Sequence, residues 1–193
     1  MNKNSQMIKE MTGIAILGAL VAILQLFIYI PIGEFTITFA LIPIVVAAII
    51  YGPKGGAFCG FVMGLIVILT NAGAFLAINP VATVFSCILK SSLAGLLAGY
   101  FYKWIKNKNL GCIVASVSAP IINTGIFAVC CFLFFIPGIK EWANGEGVDV
   151  VKYVFIYMIG ANFLIELGVS IVLSPIVIRI VEIFKAKSPK KIK

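Results

Sequence analysis

Between Lys54 and Lys90 the chain carries no charged side chain, and residues 55–89 are apolar for most of their length. Wound as one helix, that run would reach about 50 Å at 1.5 Å per residue, well beyond the about 30 Å of a bilayer's hydrocarbon core. It must therefore hold more than one crossing. "TNAG" and Asn79-Pro80 supply the break, because a residue before proline avoids the α region. The rest of the chain is of the same kind: of its 193 residues 62% are hydrophobic and 11% charged, where soluble domains carry about 25% charge. So few charges cannot cover so much apolar surface in water. The solvent is lipid, and the chain is an integral membrane protein. Backbone polar groups in lipid pair within the chain, which leaves helices or a closed barrel. The apolar runs lack two-residue alternation, so helices follow.

Charges and helix breakers divide the chain into six expected transmembrane helices, at 11–30, 36–51, 55–71, 79–103, 110–136 and 151–180. This is an all-α membrane architecture in one domain, residues 1–182, with a basic tail at 183–193. The second and third segments are short and are expected to tilt little or to lie partly within protein. The first follows Lys3 and Lys9, as a signal peptide would. It runs long for one and ends in "YIPIGEF" without a small-x-small cleavage pattern, so it reads as a retained helix. Of the 15 lysines and arginines, Lys140 and Lys152 fall on one side, beside Glu34, Glu141, Glu146 and Asp149. Apart from Lys90, the others gather at the N-terminus, "YGPKGG", "KWIKNKN" and the C-terminus. The positive-inside rule then places both termini in the cytoplasm of a cell-membrane protein.

The net charge of +8 is thus mostly topology. "KAKSPKKIK" suits contact with anionic lipid headgroups, and it lacks the folded basic face with aromatic or polar readers that nucleic acid would need. The five cysteines, Cys59, Cys87, Cys112, Cys130 and Cys131, lie in apolar runs without a C-x-x-C pair, and the chain has no histidine. A cysteine-histidine zinc site is excluded, and the cysteines read as small core residues.

Lys90 is the anomaly. It lies about 15 Å from the outer end of the fourth segment and about 20 Å from the inner one, too far for its stem to snorkel to water. A charge in mid-helix costs about 2.5–3.5 kcal/mol on insertion scales. The sixth segment holds the one acid expected inside the membrane, Glu166, about 21 Å below its outer end. Asn162, four residues earlier, shares its face. The fifth segment brings Asn123 and Thr124 to a similar level. Lys90, Asn123, Asn162 and Glu166 therefore converge at one depth on three antiparallel helices. A Lys90–Glu166 ion pair that only fixes packing is one reading, with Asn123 as an interhelical hydrogen bond. Buried ion pairs rarely gain stability over packed apolar side chains, and a cluster of polar groups in a greasy chain is the pattern of a ligand pocket. Pro120, close before Asn123, frees a carbonyl near that level, as interrupted helices do in transporters.

"TNAGAFLAINP" and "FFIPGIKEWANGEG" have the glycine, asparagine and aromatic content of loops that cover an outward-facing pocket. Phe75, Phe135 and Trp142 would cover a ligand there, or Trp142 would anchor the interface. Small residues four apart recur at Ala15 and Ala19, at Gly60 and Gly64, and at Gly95 and Gly99; such spacing lets helices approach closely. On the first helix, with Thr12 and Gln25 as its buried polar residues, the pattern is compatible with docking on another protein.

In "FTITFALIPIVVAAIIYGPKGGAFCGFVMGL", "AINPVATVFSCILKSSLAGLLAGYFYKWI" and "NFLIELGVSIVLSPIVIRIV" the chain resembles the substrate-binding S component of an energy-coupling factor (ECF) transporter, and the likeness covers nearly its whole length. The resemblance implies a binding subunit that captures a vitamin or related micronutrient from outside. It implies partners as well: a membrane coupling subunit, docked through the Ala15–Ala19 motif, and two cytoplasmic ATPases. ATP is used by those partners, and this chain, which has no G-x-x-x-x-G-K-[ST] loop, is expected to bind no cofactor. The family's pocket lies in the outer halves of the last three helices and the outer loops. Lys90, Asn123, Asn162 and Glu166 become ligand-contact candidates, with Asn79 a further one. Lys90 suits a carboxylate, and the amides and Glu166 suit hydroxyl and amide groups. Pantothenate combines these, and riboflavin, stacked on Phe75 and Trp142, is the second choice.

Two other classes compete. A membrane-embedded enzyme would recruit histidine, paired acids or a serine with a base. Here Ser91 or Ser92 with Lys90 is the one conceivable pair, and neighbouring residues diverge on a helix. An autonomous channel or secondary carrier would have to oligomerise from so short a chain, and no inverted repeat is evident.

Overall fold

In the computed structural model, which describes residues 3–32 and 35–187, the chain is a bundle of apolar helices with one short hairpin. Among the described residues, five helical stretches are long and apolar enough to cross a membrane. Large apolar side chains such as Phe27, Leu69, Val81 and Val172 stand exposed on the outside of the bundle, an arrangement suited to lipid. Glu34 and the tail lysines Lys190, Lys191 and Lys193 lie outside the described residues.

Helix α1 (Lys3–Phe27) leads into an antiparallel hairpin, β1 (Tyr29–Ile32) and β2 (Phe35–Thr38), which pairs Tyr29 with Thr38 and Ile32 with Phe35. This corrects the expectation of helix through residue 30 and again from 36. The stretch is rich in Ile and Thr, which favour extended backbone, and Pro31 lacks the N–H an inner helical position needs. Helix α2 (Leu41–Ile50) is accordingly only 10 residues long, about 15 Å. It lies within protein: Ile44, Val45, Ala47 and Ala48 are almost fully buried, among α1 and the helices that follow.

Gly52 (φ +85°) turns the chain into α3 (Pro53–Thr70), with Pro53 in the first turn; that left-handed backbone favours glycine. Of "GPKGG", Gly52 alone makes the turn, and Pro53, Lys54, Gly55 and Gly56 begin α3. The short helix α4 (Gly73–Ile78) occupies the break before α5 (Pro80–Trp104). Asn107 caps α6 (Lys108–Phe134), its Oδ1 accepting from Asn109 N at 3.1 Å and Leu110 N at 3.2 Å. The next connection, read as loop, contains α7 (Ile136–Gly145). Asp149 then caps α8 (Val150–Lys152), which passes through a π-helical stretch, Tyr153–Gly160, into α9 (Ala161–Lys187). Helix α9 thus enters the segment read as a tail, and residues 188–193 lie outside the described residues. Both Pro120 and Pro175 sit inside continuous helices. The carbonyl that Pro120 frees belongs to Ser116, one turn farther from Asn123.

The most extensive helix contact is α3 against α5, followed by α5 against α6. Gly56, Gly60 and Gly64 of α3 lie against backbone of α5: an added Cβ at Gly60 would overlap the Ser91 carbonyl oxygen, and one at Gly56 the Gly95 carbonyl oxygen. Gly99 meets Pro53 Cα in the same way, a Cβ there coming to 2.7 Å. These glycines serve the bundle's own packing rather than an outside partner. The five cysteines are buried, as the apolar runs around them implied.

Candidate functional site: a polar cavity between α5, α6 and α9

Each helix bordering the cavity contributes a face set by its period. On α5, Thr83, Ser86 and Lys90 are spaced i, i+3 and i+7, and on α9 Asn162 and Glu166 are spaced i and i+4, so each set stacks on one side. Helix α6 adds Asn123, Thr124 and Phe127. These side chains meet in a cavity of about 80 Å³, bounded also by Gln25 of α1, Met63 and Val67 of α3, and Phe75 of α4. Lys90, Asn123, Asn162, Glu166 and Phe75, named from the sequence, thus line one space. The Lys90 ammonium stands 4.6 Å from the centroid of the Phe127 ring, a cation–π contact worth about 2 kcal/mol when desolvated. Phe127 supplies no hydrogen-bond acceptor in that contact.

Several polar atoms around the chamber lack partners. Gln25 Oε1, Asn123 Oδ1 and Asn162 Oδ1, and the Ser86 hydroxyl oxygen, are buried without a hydrogen-bond partner among the described residues. Gln25 is 1% exposed, Asn123 6% and Glu166 4%. An unsatisfied buried polar group costs about 1–3 kcal/mol, so several in one chamber form a site that favours hydrogen-bond donors on whatever enters.

Phe75, Asn71 and Met158 border both this chamber and a second, outer cavity of about 540 Å³ that is also lined by Thr70, Trp142, Glu146 and Tyr153. The Phe75 ring packs edge-on against Phe127, Phe135 and Trp142 at 5.5, 5.0 and 5.5 Å. Trp142 belongs to the outer cavity, not the inner one.

Asn79 does not line either cavity. Its Oδ1 accepts from Ala82 N at 3.1 Å and its carbonyl from Thr83 Oγ1 at 2.8 Å, so its polarity is spent on capping α5. The sequence signal for that use was the following Pro80, typical of a first helical position. Gln25 was visible as a polar residue of α1, but nothing in its spacing pointed toward the other helices. Thr83 and Ser86 share the period of Lys90 on α5, and that period is the sequence signal for them. The π-helical stretch, which brings Met158 and Ile159 to the cavity, has no evident sequence signal; such bulges recur at functional sites. Ala15 and Ala19 are exposed on α1.

A lipid-suited helical bundle enclosing a polar chamber defines a membrane protein with an internal site for a small polar molecule. The family model for the substrate-specific component of ECF transporters matches residues 9–178, and the chain belongs to that family, whose members are transporter components rather than enzymes. The pantothenic acid transporter PanT of Lactococcus lactis subsp. cremoris (strain MG1363) is 28% identical to it over 184 residues, covering 86% of this chain and 89% of that protein. The solved structure described as "Structure and mechanism of the S component of a bacterial ECF transporter" has the same fold, with a TM-score of 0.61 at 21% identity over 96% of this chain and 99% of that one.

Proposed function

We propose that this subunit binds pantothenate from the outer face of the cell membrane and delivers it to an ECF module of one membrane coupling subunit and two ATPases. In this reading α2 counts as a sixth, shortened span, both termini are cytoplasmic, and ATP is used by the partners alone. The observation that carries it is the chamber's chemistry: one cation, Lys90, with Glu166 and the amides of Gln25, Asn123 and Asn162, whose oxygens have no hydrogen-bond partner among the described residues. Pantothenate brings a carboxylate for the ammonium, and two hydroxyls and an amide N–H for the oxygens of Gln25, Asn123 and Asn162. The PanT relative favours the same ligand. Riboflavin would need Phe75 and Trp142 together beside the polar groups, and Trp142 stands outside the inner chamber.

The inner cavity, at about 80 Å³, is smaller than the about 300–1,000 Å³ of small-molecule pockets. Phe75 borders both this cavity and the outer one, and in this reading it acts as a lid with Trp142 behind it. Lys90→Ala and Glu166→Gln are each expected to weaken pantothenate binding in detergent by about 10- to 100-fold, because hydrogen bonds to charged groups contribute about 1.5–3 kcal/mol. Titration calorimetry measures this, and unchanged affinity in both variants would falsify the assignment.

A further inference from the structure

We infer that Gln25 is a ligand contact, and that through it the occupied chamber fastens helix α1 to the rest of the bundle. The inference rests on the pantothenate reading of the chamber. Helix α1 is the least embedded of the long helices: 17% of its apolar stretch is buried, against 44% for α3 and α5. Its contacts with the bundle include Gly13 against Tyr51, Ile14 beside Gly55, Gly18 facing Phe58 and Val62 of α3, and Val21, which packs with Leu41, Ile44 and Met63.

One turn beyond Val21, Gln25 breaks the apolar pattern. Its side chain is 1% exposed, borders the chamber, and carries an Oε1 with no hydrogen-bond partner among the described residues. A glutamine kept only for packing would give way to an apolar residue of the same length, since a buried unsatisfied amide destabilises the fold. Its position is explained if the acceptor meets a hydroxyl or N–H of the ligand. That bond would then cross from α1 to a molecule held by α5, α6 and α9. Binding would add a fastening at the end of α1 next to the hairpin, while Ala15 and Ala19 remain on the exposed side of the same helix.

Gln25→Met separates this role from a structural one, because methionine keeps the length and removes the orphaned oxygen. The expected result is a higher melting temperature for the ligand-free protein together with about tenfold weaker pantothenate binding. In the unaltered protein, pantothenate should slow amide hydrogen exchange across residues 18–28, and in the variant at saturating pantothenate that slowing should be lost. A variant that melts lower and binds more weakly marks Gln25 as a packing residue and overturns the inference. Unchanged affinity overturns it as well, as does slowing that persists in the variant. If the unaltered protein fails to bind pantothenate, the ligand assignment falls and this inference falls with it.

Discussion

Asn79 and Asn123 are the same residue type and serve opposite ends. The first spends its side chain on the backbone of α5, with Oδ1 3.1 Å from Ala82 N; the second keeps its oxygen unpaired at the wall of the chamber. Replacing an N-cap asparagine by alanine costs about 0.5–2 kcal/mol. Asn79→Ala is therefore expected to lower the melting temperature in detergent while leaving pantothenate affinity within about twofold, as calorimetry on the same sample would show. Loss of affinity greater than loss of stability would restore Asn79 to the binding site. Lys90 poses the complementary problem. Its ammonium rests over the Phe127 ring, which eases the charge without supplying an acceptor, and a carboxylate arriving there replaces a weak partner with a strong one.

Among the elements, the α3–α5 pair sets the geometry on which the chamber depends, since α5 carries Thr83, Ser86 and Lys90. The two backbones come together because α3 offers glycine at positions 56, 60 and 64. Overpacking a core by a few methylenes costs about 1–3 kcal/mol, and here the obstacle is main chain, which cannot turn aside. Gly60→Leu is expected to push α5 away, lower the melting temperature sharply and abolish binding. Gly125→Ala is the control: nothing lies within 4 Å of a Cβ at that position. It should be neutral or gain up to about 1 kcal/mol from helix propensity. Thermal unfolding of the two variants in one detergent tests both statements, and equal melting temperatures would contradict the account of this contact. The π-helical stretch matters at the same scale, because its extra residue per turn sets how Met158 and Ile159 meet the cavity relative to Asn162 and Glu166.

For the whole molecule, the fold separates two surfaces to which the proposed function assigns successive steps of uptake. The polar chamber is internal, and the small-residue face of α1 is external. Ala15→Trp or Ala19→Trp is expected to leave pantothenate affinity unchanged and to abolish co-purification with the coupling subunit, because an indole there would hold two helices apart. Persistence of the complex in both variants would place the docking face elsewhere. The basic residues Lys54, Lys103, Lys106 and Lys108 fall at the start of α3, the end of α5, the turn after it and the start of α6, a grouping that the proposed cytoplasmic placement of both termini would account for.

The sequence alone determined the medium, the approximate limits of the long helices and the small set of polar residues that needed an explanation. Hydropathy and the cost of burying a charge belong to side chains one at a time, so they can be summed along a chain without knowing what it packs against. Tertiary structure decided how each helix is turned about its own axis. Gln25 faces the chamber, and Gly60 and Gly64 face α5 rather than a foreign partner. Residues 29–32 and 35–38 pair as strands and so shorten α2. Those outcomes depend on which surfaces fit one another, and a pairwise fit is not a property that any single stretch of sequence carries.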